Sequence, residues 1–408
     1  MTEQETVKLL FQKEFSKMVA VISKLYGLQH IEIAEDVVSQ TFLLALETWQ
    51  VKGLPANPTA WLYKIAKQKT LRHFRRNKIL EEKVIPELKA SGSYSEMPEL
   101  DFSNQNIKDS QLQMLFAICN PAIASEAQIG LALRILCGFG IDEIADAFLA
   151  TKEAINKRLF RAKEKLRTEK VKMELPPEAE IDNRLNNVLH VIYLLFNEGY
   201  YSKTQNQILR KELCLDALRL GMMLKACQQT DTPKTNALLA LMCFHASRFS
   251  ARQIGSELVI LFEHQNQQLW DLALIKQGIQ FLDASARGDQ VSSYHIEARI
   301  ACWHCMKEDT IAKWQGILNL YDQLLKINYS PGVALNRIYA LFKVEGNDSA
   351  IIAAEKLQME NNHFYFILLG ELYKDKNGTK AKLNFKKAQA LAQTDTEKQI
   401  LQVRIDSL

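Results

Sequence analysis

The sequence lacks any apolar run close to the roughly 18 residues that a helix needs to span a bilayer. Its first residues, MTEQETVKLLFQKEF, carry acids and amphipathic spacing where a secretory signal has a basic start and an apolar run. The seven cysteines are an odd number scattered through helical patterns, which favours reduced thiols. These absences predict a cytoplasmic protein that does not contact a membrane.

Glycine and proline are also scarce, with 16 and 9 in 408 residues, and no stretch alternates polar and apolar residues as a half-buried strand does. Apolar residues recur instead at helical spacing through most of the chain. We therefore predict an all-α protein, long enough for two or three domains. The net charge is only +4, but the basic clusters are concentrated in the first 170 residues.

The stretch 33–78 consists of two amphipathic helices around a Pro/Asn-rich break. In the first helix, apolar residues recur at offsets of four, three and four, from Val38 to Trp49. The second helix carries seven Lys or Arg and no Asp or Glu between Lys64 and Lys78. A helix with this charge can lie along a polyanion such as a nucleic acid.

Residues 81–108 are acidic and are interrupted by Ser, Gly and Pro, which predicts a flexible linker; a plain solvated spacer is the simpler interpretation. Residues 109–172 then form a second helical unit. It contains a short helix from Ile141, a turn at Leu149–Ala150, Thr151 as a good N-cap, and a longer basic helix. This order is typical of a helix-turn-helix, whose second helix can enter a major groove. Many helical proteins contain such a pair, so the pattern alone leaves DNA binding open.

Residues 180–408 are predicted to be helical almost throughout. Two segments near the end align at an offset of 34 residues, which places Ala354 opposite Ala388. That offset is the period of a tetratricopeptide helical hairpin. We predict a solenoid-like helical domain, whose concave surface binds a peptide or packs on another domain.

Several local patterns do not support a chemical activity. The Cys302–Cys305 pair has the spacing of a disulfide-exchange site, but such a site places its first Cys at a helix N-terminus after a strand, and no strand precedes this one. A second CxxC that would complete a zinc site is missing. The segment Asn197–Tyr200 fits a ligand site or, equally well, a helix that ends at Gly199 as its C-cap. We predict no catalytic residues, no enzyme activity, no cofactor and no metal.

The segments IAEDVVSQTFLLALETW and NPTAWLYKIAKQKTLRHFRR closely resemble region 2 of bacterial extracytoplasmic-function RNA polymerase sigma factors, a branch of the sigma-70 family. The segment EIADAFLATKEAINKRLFRAKEKL resembles region 4 of the same family. Two others, MLFAICNPAIASEAQ and LNNVLHVIYLLFNEGYYS, look like the subgroup with a C-terminal extension of tetratricopeptide type. The resemblance implies region 2 at 1–80, the linker at 81–108, region 4 at 109–172 and a regulatory helical domain at 180–408.

The resemblance implies that the helix containing Ala34-Glu35-Asp36 docks on the clamp helices of the polymerase β′ subunit. The residues that map to this contact are Asp36, Val37, Gln40, Thr41, Leu43 and Leu44. An apolar patch with acids suits docking on a partly basic helical hairpin, although Val37 and Leu44 are equally good core residues. The family usually carries Gln-Glu where this chain has Ser39–Thr41, so the individual contacts differ here.

The next family segment captures an unstacked base of the melted −10 element, which requires a pocket or an aromatic platform. This segment maps to the loop from Val51 to Asn57 and to the start of the following helix, with Asn57 and Trp61 as candidate residues. The residues that would contact phosphates and bases upstream are Lys64, Gln68, Arg72, Arg75 and Arg76. Trp49 and Trp61 are the nearby aromatic residues, and each also fits a core position. Region 4 would read the −35 element with side chains that pair with base edges. These are Lys152, Glu153, Asn156, Lys157 and Arg161.

The resemblance implies a sigma factor that directs bacterial RNA polymerase to specific promoters, with the C-terminal domain modulating its activity. Its expected partners are core RNA polymerase, through the β′ clamp helices and the β flap, promoter DNA, and an unknown regulator at the C-terminal domain. In the family, the acidic linker runs through polymerase channels that later hold nucleic acid. Two alternatives stay open: a tetratricopeptide-type scaffold, and a helix-turn-helix regulator that binds duplex DNA without polymerase.

Overall fold

The computed structural model describes residues 3–84, 100–148, 150–201, 210–254, 258–259, 265–306, 308–392 and 395–408. The all-α prediction is confirmed: the described regular structure is helical, apart from a two-residue antiparallel pairing of Gln253–Ile254 with Leu258–Val259. The chain divides into two compact units. The first contains residues 1–195 and 226–230, and the second contains residues 196–225 and 231–408.

The first unit is helical where the sequence predicted helices. They are α1 (Glu3–Tyr26), a 3-10 turn (Leu28–His30), α2 (Ile31–Lys52), α3 (Pro58–Val84), α4 (Asn104–Ile118), α5 (Ser125–Leu131), a π-helical turn (Ala132–Leu136), α6 (Ile141–Ala147), α7 (Lys152–Thr168) and the start of α8 (Glu178–Tyr201). The predicted linker 81–108 is shorter at both ends, since α3 runs to Val84 and α4 begins at Asn104. The helix after the linker starts early because Ser103 is its N-cap: the Ser103 hydroxyl accepts the Asn106 amide at 3.3 Å.

The amphipathic faces of α1 and α2 form the core around which α3 and α4 pack. Phe15, Met18 and Ile22 of α1 are buried, as are Phe42 and Trp49 of α2. Each buried side chain of this size contributes about 1.5–3 kcal/mol of hydrophobic free energy. The helical period of these residues therefore determines which side of each helix remains on the surface.

The short helix α6 and the longer helix α7 lie at the predicted places. Ile144 of α6 and Ile155 and Leu159 of α7 are buried. The predicted N-cap of α7 is confirmed, because the Thr151 hydroxyl accepts the Ala154 amide at 3.2 Å. A cap of this kind stabilises a helix start by about 1 kcal/mol.

The first half of α8 belongs to the first unit, so the predicted domain start at residue 180 differs from the unit boundary after Leu195. The Arg184 guanidinium donates to the Phe116 carbonyl at 2.7 Å, and the Asn187 amide donates to the Cys119 carbonyl at 2.6 Å. These carbonyls lie at the buried end of α4, where the helix itself supplies no donors. A buried carbonyl left without a donor costs about 1–3 kcal/mol, which explains why α8 starts in this unit.

The second unit is built from helices that pack on their neighbours in the chain, α13 on α14, α14 on α15, α15 on α16 and α17 on α18. After the end of α8 its helices are α9 (Lys211–Lys225), α10 (Pro233–Ala246), α11 (Phe249–Arg252), α12 (Leu272–Ser285), α13 (Ser293–Trp303), α14 (Ile311–Ile327), α15 (Pro331–Glu345), α16 (Asn347–Glu355), α17 (His363–Tyr373), α18 (Gly378–Leu391) and α19 (Asp395–Asp406). Ala354 and Ala388, aligned by the predicted repeat, are both fully buried in one core, on the second helices of consecutive pairs. Assignment of these pairs to the tetratricopeptide type stays a prediction.

Gly199 is not the helix C-cap that the sequence suggested, because α8 continues to Tyr201. A Cβ atom at this position would lie 2.8 Å from both the Arg210 carbonyl oxygen and the Cys214 Sγ atom. The glycine therefore lets the start of α9 approach α8 closely. Its role is close packing between two helices.

Cys302 and Cys305 lie at the end of α13 as free, partly buried thiols. Burial raises the pKa of Cys302 to about 11, which disfavours the thiolate that disulfide exchange requires. No group of three His, Cys, Asp or Glu side chains in the described residues is arranged to hold a metal ion. No helix in the described part of the chain is long and apolar enough to cross a membrane.

Candidate nucleic-acid interface

One side of α3 presents a row of polar and cationic side chains, which we call the basic face. Lys64, Gln68, Arg72 and Arg75 are all exposed and follow one another at offsets of four, four and three residues. Leu62, Ala66 and Thr70 form the opposite side of this helix and are completely buried. The buried side thus sets the orientation of the basic face. The Arg76 side chain lies outside the described residues.

Two contacts with α1 hold α3 in position. The ring of Tyr26 stacks on that of Phe74, with centroids 3.6 Å apart and an interplanar angle of 2°. The Tyr63 hydroxyl donates to the buried Glu14 carboxylate at 2.6 Å, and burial together with this carboxylate raises the pKa of Tyr63. The phenol therefore stays protonated as a donor, and the basic face has a defined position on the first unit.

The residues at the start of α3 have structural roles that limit what they can offer to a base. The exposed Asn57 caps α3, since its side-chain oxygen accepts the Ala60 amide at 3.0 Å. Trp49 is a core residue with 2% of its surface exposed. Trp61 is half-buried and packs edge-on against Trp49, with centroids 5.3 Å apart. Only part of the Trp61 ring is therefore available as an aromatic platform.

The six predicted polymerase-binding residues of α2 do not share one face. Asp36, Gln40 and Leu43 are exposed, with 58% of Leu43 accessible, and Leu44 is half-buried. The same surface extends to Glu47, four residues after Leu43, which sequence reasoning missed. We call the exposed row the docking stripe; its members are Asp36, Gln40, Leu43 and Glu47.

Val37 and Thr41 lie on the inner, buried side of α2, so the structure does not place them on the surface that a polymerase contact would use. Val37 is 5% exposed, Thr41 is completely buried, and the Thr41 hydroxyl donates to the Val37 carbonyl at 2.8 Å. Their spacing of four residues keeps both on the side that faces the core. They support the docking stripe from beneath.

All five residues predicted to read the −35 element are exposed on α7. Lys152 pairs with Asp142 of α6 at 2.6 Å, but both side chains are solvated, so this pair adds little to stability.

Phe160 is 57% exposed on the same side of α7, four residues after Asn156, and the sequence-based prediction did not include it. Its signal was an aromatic residue within an otherwise polar helix face, and such a side chain can contact a thymine methyl group. We call this surface the recognition face; its members are Lys152, Glu153, Asn156, Lys157, Phe160 and Arg161.

An open groove of about 480 Å³ lies between the start of α5 and α7. Ile123 and Ala127 form part of its apolar lining, and Lys157, Arg158 and Arg161 line its α7 side. Arg158 is held in place by Glu126 at 3.2 Å and by the Phe148 ring, 5.6 Å from its guanidinium. An apolar groove with a cationic edge can receive an apolar protein segment of acidic character.

Residues 10–79, which include the docking stripe and the basic face, match the Sigma-70 region 2 family. This chain carries a sigma-70 region 2 domain. Residues 184–286 match a family of unknown function (DUF6596). Over 388 residues the chain is 30% identical to Uncharacterized protein R00370 of Rhizobium meliloti (strain 1021), covering 93% of this chain and 91% of that protein. The chain belongs to the same family as that protein, and no solved structure matches it.

A sigma-70 region 2 domain implies binding to core RNA polymerase and to promoter DNA, and it suggests a role in transcription initiation. The match covers most of α1, all of α2 and most of α3, so it contains the two surfaces that the geometry separates on consecutive helices. The match to the family of unknown function begins at Arg184, the residue that donates to the end of α4 in the first unit.

Proposed function

We propose that this protein is a sigma factor of the extracytoplasmic-function type, which directs bacterial RNA polymerase to specific promoters and starts transcription there. The observation that carries the proposal is the pairing of the docking stripe on α2 with the basic face on α3, inside the matched region 2 domain. The first surface binds the enzyme and the second binds the promoter.

At the −10 element, the basic face positions the protein and a few neighbouring residues select the base. Arg and Lys contact phosphates without sequence preference, which gives affinity and register. An unstacked base then needs a new surface, which the exposed part of Trp61 and the amide of Asn57 supply at the start of α3.

At the −35 element, the recognition face of α7 enters the major groove as the second helix of a helix-turn-helix. Asn156 suits an adenine, Lys157 or Arg161 a guanine, and Phe160 a thymine methyl group. Support comes from the exposure of all these side chains on one side of a capped helix.

The polymerase contacts are divided between two parts of the first unit. The docking stripe binds the β′ clamp helices, where its two acids meet basic side chains and Leu43 meets apolar ones. The apolar lining of the groove between α5 and α7, with Arg158 at its edge, receives part of the β flap, while Lys157 and Arg161 face the −35 element. The protein itself performs no chemistry, because RNA synthesis belongs to the polymerase.

The test is reconstitution of transcription. Purified full-length protein, added to core polymerase from the same organism, should co-elute with it and produce transcripts from a subset of genomic fragments. Neither co-elution nor a transcript on any fragment would refute the sigma function. Tight binding to duplex DNA without polymerase would favour the helix-turn-helix regulator, and binding only to other proteins would favour the scaffold.

We further propose that the second unit, with helical pairs of tetratricopeptide type, modulates this activity and receives a regulator. A cut at residue 177 would remove Arg184 and Asn187 from the end of α4, so it would damage the first unit as well. A chain that ends at Tyr201 keeps all of α8. Its transcription in the reconstituted assay should differ at least several-fold from that of the full chain. Equal transcription would refute modulation by this unit.

A further inference from the structure

A further concentration of positive charge lies near the end of the second unit, outside the basic clusters of the first 170 residues. Between Lys374 and Lys387 the chain carries six lysines and a single acid, Asp375. Four of these lysines belong to α18, and all four are exposed. We call them the lysine face; its members are Lys380, Lys382, Lys386 and Lys387.

The buried side of α18 determines where the lysine face points. Ala381, Phe385 and Ala388 follow one another at offsets of four and three residues, and all are buried in one core. The neighbouring helix α17 approaches this side closely, because a Cβ atom at Gly370 would lie 2.6 Å from the Phe385 ring. The lysine face is therefore held on the surface by packing on the other side of the helix.

Aromatic rings hold two of the four ammonium groups in place. The Lys380 ammonium donates to the Tyr373 hydroxyl at 3.4 Å and lies 4.9 Å from the centroid of that ring. The Tyr373 hydroxyl in turn donates to Glu355 at 2.6 Å, and burial together with this carboxylate raises the pKa of Tyr373 to about 12. The Lys387 ammonium lies 5.3 Å from the Phe366 ring centroid. These contacts order the lysine stems and leave their positive charges in place.

The other two lysines, Lys382 and Lys386, are about one helical turn apart, or about 6 Å along the axis. The ion pairs nearest in the chain use other cations: Lys376 pairs with Asp348, and Arg404 pairs with Glu371 at 2.7 Å. The lysine face thus presents four ammonium groups along one short helix. Such a row suits a partner whose negative charges are also closely and regularly spaced.

The composition of the lysine face suits a nucleic-acid backbone better than a protein or a membrane. Lysine is depleted from protein interfaces, whose affinity comes from buried aromatic and arginine anchors. A helix that lies in a membrane surface needs a broad exposed apolar side. The apolar side of α18 is buried, and among its large apolar side chains Leu383 is the exposed one, at 54%.

We propose that the lysine face is an additional DNA-binding surface, which holds the phosphate backbone of duplex DNA outside the two promoter elements. The choice of duplex DNA as the polyanion rests on the proposed function, because a sigma factor works on a promoter. Lysines bind phosphates without sequence preference, so this contact adds affinity and position but reads no bases. The second unit thereby takes a direct part in promoter binding.

The experiment places a photo-reactive phenylalanine derivative at Leu383, in the middle of the lysine face, in the full chain. Its cross-linking to a short duplex of mixed sequence, without polymerase, reports DNA at α18 regardless of what the first unit binds. The positional control carries the same group at Ile279, which is 44% exposed on α12 of the same unit. Cross-linking at Leu383 should exceed that at Ile279 several-fold.

The charge dependence is tested with Lys382→Ala/Lys386→Ala in the chain labelled at Leu383. The matched control is Lys276→Ala/Lys326→Ala, which removes two exposed lysines from other helices of the second unit. Alanine is the best helix former, so both variants should stay folded. We expect the first variant to lower the cross-link yield several-fold and the control to stay within a factor of two of wild type.

Lys382→Arg/Lys386→Arg keeps both charges and should retain the yield of wild type. Raising the salt concentration tenfold should weaken binding at this face by about eightfold for each phosphate contact. A yield at Leu383 no greater than at Ile279 would refute the proposal. So would a loss that the arginine variant shares, because that loss would not depend on charge.

An acidic protein is the other class of partner, and poly-glutamate serves as its probe. Unlabelled duplex should suppress the cross-link much more strongly than poly-glutamate at equal total charge; equal suppression would overturn the assignment to DNA. None of these measurements needs polymerase or a cognate promoter. A failure of the proposed sigma function would appear in the reconstitution assay and remain distinguishable from a failure of the lysine face.

Discussion

Replacing Arg72 and Arg75 by alanine should lower the affinity of the polymerase-bound protein for promoter DNA by roughly 50-fold at 0.1 M salt. Each phosphate contact changes the logarithm of the binding constant by about 0.9 per tenfold change in salt, so two lost contacts make the salt dependence shallower by about two. Both side chains are exposed, and buried residues on the other side of α3 hold the helix in place. The helix should therefore stay folded in the variant.

Titration of promoter binding at several salt concentrations provides the measurement. The matched control is the exposed pair Lys8 and Lys13 of α1, changed to alanine, which removes the same charge from another face of the first unit. The control should keep both the affinity and the salt slope of wild type. If the Arg72/Arg75 variant lost affinity for core polymerase to the same extent as for DNA, the loss would reflect a misfolded α3 and the assignment of the basic face would fail.

Replacing Asp36 and Leu43 by arginine should weaken binding to core polymerase by about 100-fold, which corresponds to about 2.7 kcal/mol. The reason is chemical: Asp36→Arg places a cation opposite a partly basic helical hairpin, and like charges across an interface are strongly unfavourable. Leu43→Arg removes an exposed apolar side chain from the middle of the docking stripe. Neither residue is part of the core, so the melting temperature should change little.

Affinity for core polymerase is measured with labelled protein, and DNA binding without polymerase is measured beside it. Leu9→Arg is the matched control, because Leu9 is an exposed leucine on α1 with 53% of its surface accessible and lies outside the stripe. The control should bind polymerase as wild type does. Full affinity in the Asp36/Leu43 variant would show that polymerase binds elsewhere.

The amino-acid sequence predicted the helices and the exposed polar sides of α3 and α7 correctly, because both follow from local periodicity. The offsets of four that bury Leu62, Ala66 and Thr70 also expose Lys64, Gln68 and Arg72. The N-cap at Thr151 could also be predicted from the local sequence, because the Thr151 hydroxyl and the Ala154 amide that it accepts are only three residues apart. The all-α architecture could be predicted without any long-range contact.

The sequence was less informative where a residue's position depends on a partner far along the chain. Val37 and Thr41 have the helical spacing of an interface and of a core alike, and only packing showed that they are core. Gly199 looked like a helix end because the approach of Cys214 and Arg210 is invisible in the local sequence. The predicted domain start at residue 180 differs from the unit boundary after Leu195, because the donors to the end of α4 come from α8, 68 residues later.

The sequence by itself determined which helices form, which face of each is charged, and the region 2 pattern that carries the proposed function. Local spacing is sufficient for these features, because the side chains concerned lie within a few turns of one another. Only the tertiary structure decided that Glu35 faces Arg134 and Lys163, which are 99 and 128 residues away in the chain. Its position beside Asp36 made it look like one more acid on the polymerase-docking helix. Packing of α7 and the π-helical turn buries it between two cations, and a buried charge must be compensated where a solvated one need not be.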